Sequence, residues 1–129
     1  MGDYIKYLRI PYQKNGRDYS GVDCYGLVML VAKEQANIDL PDINNAPVEE
    51  YLINDIVNDY KSKFVKIDKP EPFCLVALSI VPPYTHHIGL VLEDCKRFIH
   101  IRESHTARID SLDSKLWKPM IRGFYKYAE

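Results

Sequence analysis

The chain has 129 residues, enough for one domain with its own hydrophobic core. Its 47% hydrophobic and 27% charged residues are an ordinary globular balance, which excludes a disordered or repetitive chain. The formal net charge of -1 leaves no basic excess for a nucleic-acid backbone, and no apolar stretch approaches the length of a membrane span. We therefore expect a single domain over residues 1–129, with no nucleic-acid partner and no membrane insertion.

The first predicted elements are helices. Residues 1–19 are polar and rich in tyrosine, which indicates an irregular lead-in with at most a short helix. Apolar residues then recur at helical spacing from Asp23 to Ala36, and Asn37 is a typical residue at which a helix ends. Pro47 predicts the start of a second helix, because proline is favoured in the first helical turn.

Strands follow the two predicted helices. Beyond Lys61 the hydrophobic period changes to that of β-structure, and Glu93–Lys96 has the length of a hairpin connection. This order of elements predicts an α+β fold in which N-terminal helices pack on one side of a central antiparallel β-sheet. The stretches with the composition of strands are Phe64–Ile67, Leu75–Ile80, Ile88–Leu92, Arg97–Ile101, Arg108–Asp110 and Ile121–Tyr127.

Cys24 is a candidate for chemistry because it opens the first long helix. A helix N-terminus carries unpaired N–H groups and partial positive charge, which favour thiolate over thiol. We therefore expect the pKa of Cys24 to lie below the ordinary cysteine value of roughly 8.5. The same N–H groups can face the oxyanion that forms when a carbonyl is attacked. On this position alone, a buried structural cysteine is the simpler interpretation.

Histidines at the ends of two predicted strands strengthen the case for a site. His86 and His87 precede one apolar strand, and His100 ends the next. If these strands pair through the connecting turn, His87 and His100 become cross-strand neighbours at one end of the sheet. One imidazole then holds the ring and tautomer of the other, as the third member of a catalytic triad does. Taken alone, each histidine is more simply explained as a surface residue.

A metal site is a weaker interpretation of the same residues. The candidate ligands would have to converge tetrahedrally, whereas adjacent histidines on a strand point to opposite faces. No CxxC pair is present, and the odd number of three cysteines argues against a disulfide framework. We expect neither a metal nor an organic cofactor. The candidate ligands considered are His86, His87, Cys95, His100 and His105.

The order cysteine, histidine, histidine resembles the NlpC-type family of papain-like cell-wall peptidases. The resemblance implies a papain-like fold, with Cys24 as nucleophile, His87 as base and His100 as the orienting residue. It also implies that Tyr12 and Asp23 lie at the oxyanion or substrate site, and that the substrate is a stem peptide of peptidoglycan. The stretches that carry it are Pro11-Tyr12, Gly21–Val28, His87–Leu92 and Phe98–His100.

Further stretches are similar to the tail-assembly and tail-tip peptidases of tailed phages. This similarity implies a virion tail component that aids penetration of the host wall, with other tail-tip or hub proteins as partners. The N-terminus does not resemble a secretory signal, so we expect synthesis in the host cytoplasm and action at the cell wall or periplasm. The similar stretches are Asn15–Asp18, Ile38–Pro41, Leu112–Trp117 and Gly123–Tyr127.

Two alternatives remain open beside this interpretation. One is a structural tail-tip or baseplate module that kept the fold and lost activity, and the other is an amidase or acyltransferase on the same fold. The chain also departs from the family at two places. Tyr25 replaces the usual Ser or Trp after the nucleophile, and we expect its bulk to narrow the cleft. Glu71–Cys74 replaces the usual Pro-Gly-Asp, and we expect a differently shaped loop.

Overall fold

The computed structural model describes residues 3–41, 64–79 and 87–127. The predicted second helix from Pro47, and His86, lie outside these ranges. Within them the chain forms one α-helix, α1 (Cys24–Ala36), and two short 3-10 turns at Ile5–Tyr7 and Lys118–Met120. The strands are β1 (Arg17–Asp18), β2 (Gly21–Val22), β3 (Phe64–Ile67), β4 (Leu75–Leu78), β5 (His87–Val91), β6 (Arg97–His100), β7 (Arg108–Ser111) and β8 (Ile121–Tyr127).

Six of these strands form one sheet in the order β3-β8-β4-β5-β6-β7, and every neighbouring pair is antiparallel. The strands β1 and β2 form a separate two-stranded ribbon ahead of the helix. All six predicted strands are present. The bounds of β3 and β8 are as predicted, and those of the other four differ by one or two residues at an end. The helix packed on a mostly antiparallel sheet confirms the predicted α+β class.

The helix α1 begins where the sequence predicts it. The side chain of Asp23 accepts the backbone N–H of Gly26 at 2.7 Å, which caps the first turn. At the other end Asn37 adopts a left-handed conformation with φ 54°, and its N–H bonds the carbonyls of Ala32 and Lys33. The local signals at both ends therefore determine the helix bounds.

The central strands β4 and β5 are buried along their whole length, because each face of the sheet is covered. One face packs against α1 through a cluster that includes Leu75, Ile88 and Leu90. The opposite face carries a second cluster in which Phe98 and Trp117 are the largest side chains. No helix in the described part of the chain is long and apolar enough to cross a membrane.

Candidate active site

Cys24 is the first residue of α1, and its side chain is only 3% exposed. Backbone N–H groups of Tyr25 and Ile88 bond its sulfur. The first belongs to the start of the helix, and the second belongs to β5. The contact with Ile88 places the sulfur beside the strand residue that directly follows His87.

The electrostatic environment of Cys24 differs from the one that the sequence predicts. Burial raises the pKa of the Cys24 thiol to about 12, and the neighbouring Asp23 carboxylate adds to the rise. The N–H groups of Ile88 and Tyr25 and the charge of Arg17 act in the opposite direction without reversing it. The predicted low pKa is therefore wrong, because burial outweighs the helix N-terminus. The resting side chain is a neutral thiol, and an attack by sulfur requires a base.

His87 and His100 are in direct contact, as predicted. Nε2 of His87 lies 2.8 Å from Nδ1 of His100, and both side chains are buried. They are not directly opposite each other, however. Leu90 pairs with Ile99, and the same register places Gly89 opposite His100. His87 lies two residues before Gly89, so the two histidines are diagonal neighbours.

Gly89 is what allows the diagonal contact. A Cβ at this position would lie 2.9 Å from Cδ2 of Phe98 and 3.2 Å from Cβ of His100. Because glycine has no side chain, the His100 ring has room to lean across the strand toward His87. The glycine two residues after His87 thus has a steric function in the site.

Asp110 and Arg108 extend the site beyond the two histidines, and sequence reasoning missed both. Nε2 of His100 lies 2.7 Å from Oδ2 of Asp110. Arg108 donates to both oxygens of that carboxylate, at 2.8 Å from Nε and 3.0 Å from Nη2. The available signal was the alternation of Arg108 and Asp110 on one face of a strand that follows the His100 strand.

The two ends of the His100–Asp110 contact have different charges near neutral pH. Burial lowers the pKa of His100 to about 4, although the bond to Asp110 opposes this shift. Burial pushes the pKa of Asp110 upward, but the bonds from His100 and Arg108 hold it below its ordinary value. His100 is therefore a neutral imidazole that faces an ionised carboxylate.

Trp117 covers the two imidazoles on the face of the sheet opposite α1. Its indole ring lies 6.1 Å from the His87 ring at 30° and 4.7 Å from the His100 ring at 84°. The guanidinium of Arg102 lies over the indole, 6.0 Å from its centroid. The Trp117 side chain is only 3% exposed, so it is packed in the interior.

Asp23 and Tyr12 were predicted to contribute to the oxyanion or substrate site. Asp23 is fully buried, and its carboxylate accepts the N–H of Asn15 at 3.0 Å and of Arg17 at 2.8 Å as well as that of Gly26. These partners give it a structural function as the cap of α1. Its part in binding substrate stays a prediction.

Tyr12 lies in the segment that approaches the helix start. Tyr12 forms an isolated parallel β-bridge with Val22, and its backbone N–H donates to the carbonyl of His105 at 3.2 Å. Its side chain packs against the core cluster that contains Cys24. The structure thus brings Tyr12 and Cys24 to one cluster, and the role of the Tyr12 hydroxyl stays a prediction.

Comparison with known proteins identifies the fold. The NlpC/P60 family matches residues 9–126, a range that includes the cysteine and both histidines. The chain belongs to the NlpC/P60 family. Among curated proteins, none is similar enough to the chain to count as a relative.

Solved structures of NlpC/P60 domains share the fold of this chain. The NlpC/p60 domain of the peptidoglycan hydrolase SagA is 17% identical, with a TM-score of 0.57 over 94% of this chain and 90% of that chain. A Staphylococcus aureus protein described as similar to lipoprotein, NLP/P60 family, is 22% identical, with a TM-score of 0.65 over 97% of this chain and 39% of that chain. An NlpC/P60 family protein of Bacillus cereus is 20% identical, with a TM-score of 0.64, over 95% and 37% of the two chains. This chain therefore spans well under half the length of the latter two proteins, and identities this low establish the shared fold alone.

The two departures from the NlpC/P60 pattern, Tyr25 and the loop Glu71–Cys74, are each accommodated by their immediate surroundings. Tyr25 packs in the hydrophobic core, and its hydroxyl donates to the carbonyl of Pro41 at 2.6 Å. The expected narrowing of a cleft is wrong, because the core accommodates the ring. The substituted loop forms a tight turn in which Phe73 has φ 61° and the N–H of Cys74 donates to the carbonyl of Glu71.

The described part of this NlpC/P60 domain contains no cluster of side chains that could bind a metal ion. Among residues 3–41, 64–79 and 87–127, no group of three or more His, Cys, Asp or Glu side chains is arranged to hold an ion. His87 and His100 instead bond each other, and His105 bonds the carbonyl of Glu103.

Proposed function

We propose that this NlpC/P60 domain is a cysteine endopeptidase that cleaves the stem peptides of peptidoglycan. The observation that carries the proposal is the contact of 2.8 Å between His87 and His100 at the start of β5, the strand whose Ile88 N–H bonds the Cys24 sulfur. A cysteine next to a histidine that a second polar group orients is the arrangement of a covalent acyl-transfer site. The similarity to a domain of the peptidoglycan hydrolase SagA supports this choice of substrate.

The proposed reaction begins with a proton transfer. Because Nε2 of His87 faces His100, Nδ1 is the ring nitrogen that exchanges a proton with Cys24. The neutral thiol gives its proton to Nδ1 as sulfur attacks the carbonyl carbon of the scissile amide. Backbone N–H groups at the start of α1, together with the Tyr12 hydroxyl, stabilise the oxyanion.

The second half of the reaction returns the site to its resting state. His87 donates the proton to the leaving amine, and the acyl group remains on Cys24 as a thioester. Water then attacks the thioester, His87 accepts its proton, and the carboxylic acid leaves as the thiol is restored. No step in this sequence uses a metal or an organic cofactor.

The biological setting that we propose is the tail of a phage particle. It is supported by the stretches that are similar to tail-assembly peptidases, among them Asn15–Asp18 and Ile38–Pro41. In this setting the single domain is made in the host cytoplasm, joins other tail-tip or hub proteins and opens the host wall locally. Co-purification with assembled tails tests this part of the proposal separately from the chemistry.

A digest of purified peptidoglycan sacculi tests the chemistry. Intact protein and Cys24→Ala are incubated in parallel, and the soluble products are identified by mass spectrometry. We expect new stem-peptide fragments with the intact protein only, and their masses name the bond that is cut. An absence of fragments from both proteins on several wall types contradicts the proposal. It favours the structural tail-tip module, a role with which the buried, protonated thiol is also compatible.

A further inference from the structure

The hydrogen-bonded chain that begins at His87 does not end at His100. His100 is fully buried between two partners, with His87 at 2.8 Å from Nδ1 and Asp110 at 2.7 Å from Nε2. The side chain of Asp110 is 14% exposed, and Arg108 holds it through both oxygens. The three elements β5, β6 and β7 therefore contribute one member each to a continuous relay.

The chemistry of these groups gives the relay a direction. An ionised carboxylate only accepts hydrogen bonds, so the proton between Asp110 and His100 belongs to Nε2 of His100. A neutral imidazole has one N–H, so Nδ1 of His100 must then accept. The hydrogen bond from His87 is consequently donated by its own Nε2, which leaves the lone pair of His87 on Nδ1.

We propose that Asp110 is a positioning residue that fixes the tautomers of both histidines and so presents the basic Nδ1 of His87 to Cys24. The proposal rests on the proposed function, because the tautomer of His87 matters for catalysis only if His87 takes the Cys24 proton. Asp110 does not touch the reacting atoms and acts through two imidazoles. Its effect resembles that of the carboxylate in a serine-protease triad, but it is one residue further from the nucleophile.

The other groups around His100 do not fix its tautomer. Phe98 and Trp117 pack on its ring, at 4.5 Å and 4.7 Å between centroids, and neither accepts a hydrogen bond from a ring nitrogen there. Arg102 and Arg108 are cations that oppose a positive charge on His100. Among the described residues, Asp110 is therefore the acceptor in contact with Nε2 of His100.

Nuclear magnetic resonance of the histidine rings tests the proposal directly. Two-bond proton–nitrogen spectra of protein with ¹⁵N-labelled histidine distinguish the two tautomers of each ring near neutral pH. We expect both His87 and His100 to carry the proton on Nε2 in the intact protein. In Asp110→Ala we expect a mixture of tautomers at both rings. A proton on Nδ1 of His100 in the intact protein overturns the proposal without any variant.

Two matched variants separate positioning from a merely structural ion pair. Arg108→Ala removes the partner of Asp110 but leaves the acceptor for His100, so we expect it to preserve the tautomers. Asp113→Ala removes an exposed carboxylate that pairs with Lys118 at 3.0 Å, and we expect no change in the histidine signals. Unchanged tautomers in a folded Asp110→Ala protein overturn the proposal, and so does an equal disturbance by Arg108→Ala.

A second readout uses the reactivity of Cys24 rather than peptidoglycan. Alkylation by iodoacetamide is followed by mass spectrometry of the peptide that contains Cys24. We expect Asp110→Ala to slow this alkylation about tenfold, which is the lower end of the loss seen when the hydrogen-bond partner of a metal-binding histidine is removed. If the intact protein cleaves no peptidoglycan but these effects appear, the proposed function fails and the positioning role stands. If cleavage occurs and the effects are absent, only the positioning role fails.

Discussion

Individual residues determine whether the two histidines meet. Gly89 leaves the space into which His100 leans, and Trp117 packs against both rings. The motif of a histidine, an apolar residue and a glycine therefore has a steric basis in this chain. The histidine contacts His100, the apolar residue packs under α1, and the glycine leaves room for the second histidine.

The steric role of Gly89 is tested by Gly89→Ala. We expect the added methyl group to displace His100 from His87 and to reduce peptidoglycan cleavage at least tenfold. The free energy of unfolding should fall by about 1–3 kcal/mol, as is typical of overpacking. Cleavage assays and urea unfolding measure the two effects.

Gly123→Ala is the matched control for this change. Its added Cβ would lie 3.1 Å from Cε of Lys66, the far end of a flexible side chain. We expect activity to be retained, because Lys66 can move aside. Full activity of Gly89→Ala would show that the space opposite His100 is not needed.

At the scale of elements, the start of α1 depends on one buried carboxylate. Asp23 bonds two backbone N–H groups and Arg17, and it determines where the helix begins and hence where Cys24 lies. The sequence signals for a cap at Asp23 and for a candidate nucleophile at Cys24 are adjacent for this reason. A helix that started one residue later would turn the cysteine away from β5.

Asp23→Ala is expected to destabilise the fold by about 3 kcal/mol. The loss combines a helix cap of about 1 kcal/mol with the cost of leaving the partly buried Arg17 without its carboxylate. Urea unfolding measures it, with Asp39→Ala as the control, because Asp39 is exposed in its ion pair with Lys33. A large loss of cleavage with unchanged stability would instead support the predicted role of Asp23 in substrate binding.

At the scale of the whole molecule, the burial of His100 makes stability depend on pH. The folded pKa of about 4 is below the ordinary value of 6.5, so the unfolded chain binds the proton more readily between these values. The contribution of neutral, buried His100 to the free energy of unfolding is fully present above about pH 6.5. It is lost as the pH falls toward 4. The cause is burial, which the Asp110 carboxylate offsets only in part.

Urea unfolding between pH 7 and pH 4.5 tests this dependence. We expect the free energy of unfolding to fall with pH by up to about 3 kcal/mol from this group. His100→Gln should show a smaller slope, since glutamine does not titrate. An identical slope in the variant would assign the dependence to other groups. Cleavage should fall in the same range, because a protonated His100 donates from both nitrogens and forces the His87 proton onto Nδ1.

Much of the fold could be predicted from the sequence by itself. The bounds of α1, the six strands of the sheet and the α+β order follow from hydrophobic periods, a cap and stop residues, which act over a few neighbouring positions. The sequence also places Cys24 at a helix start and a histidine at each of two strand ends. These features could be predicted because each depends on residues that are close along the chain.

Only the tertiary structure decided how these residues act together. The register of β5 on β6 makes His87 and His100 diagonal rather than opposite, and that of β6 on β7 brings Asp110 to His100. Burial under the assembled core raises the pKa of Cys24, although a helix N-terminus by itself favours the opposite shift. Register and burial arise when distant segments pack together, and a local pattern carries no information about the depth or partners of a side chain after packing.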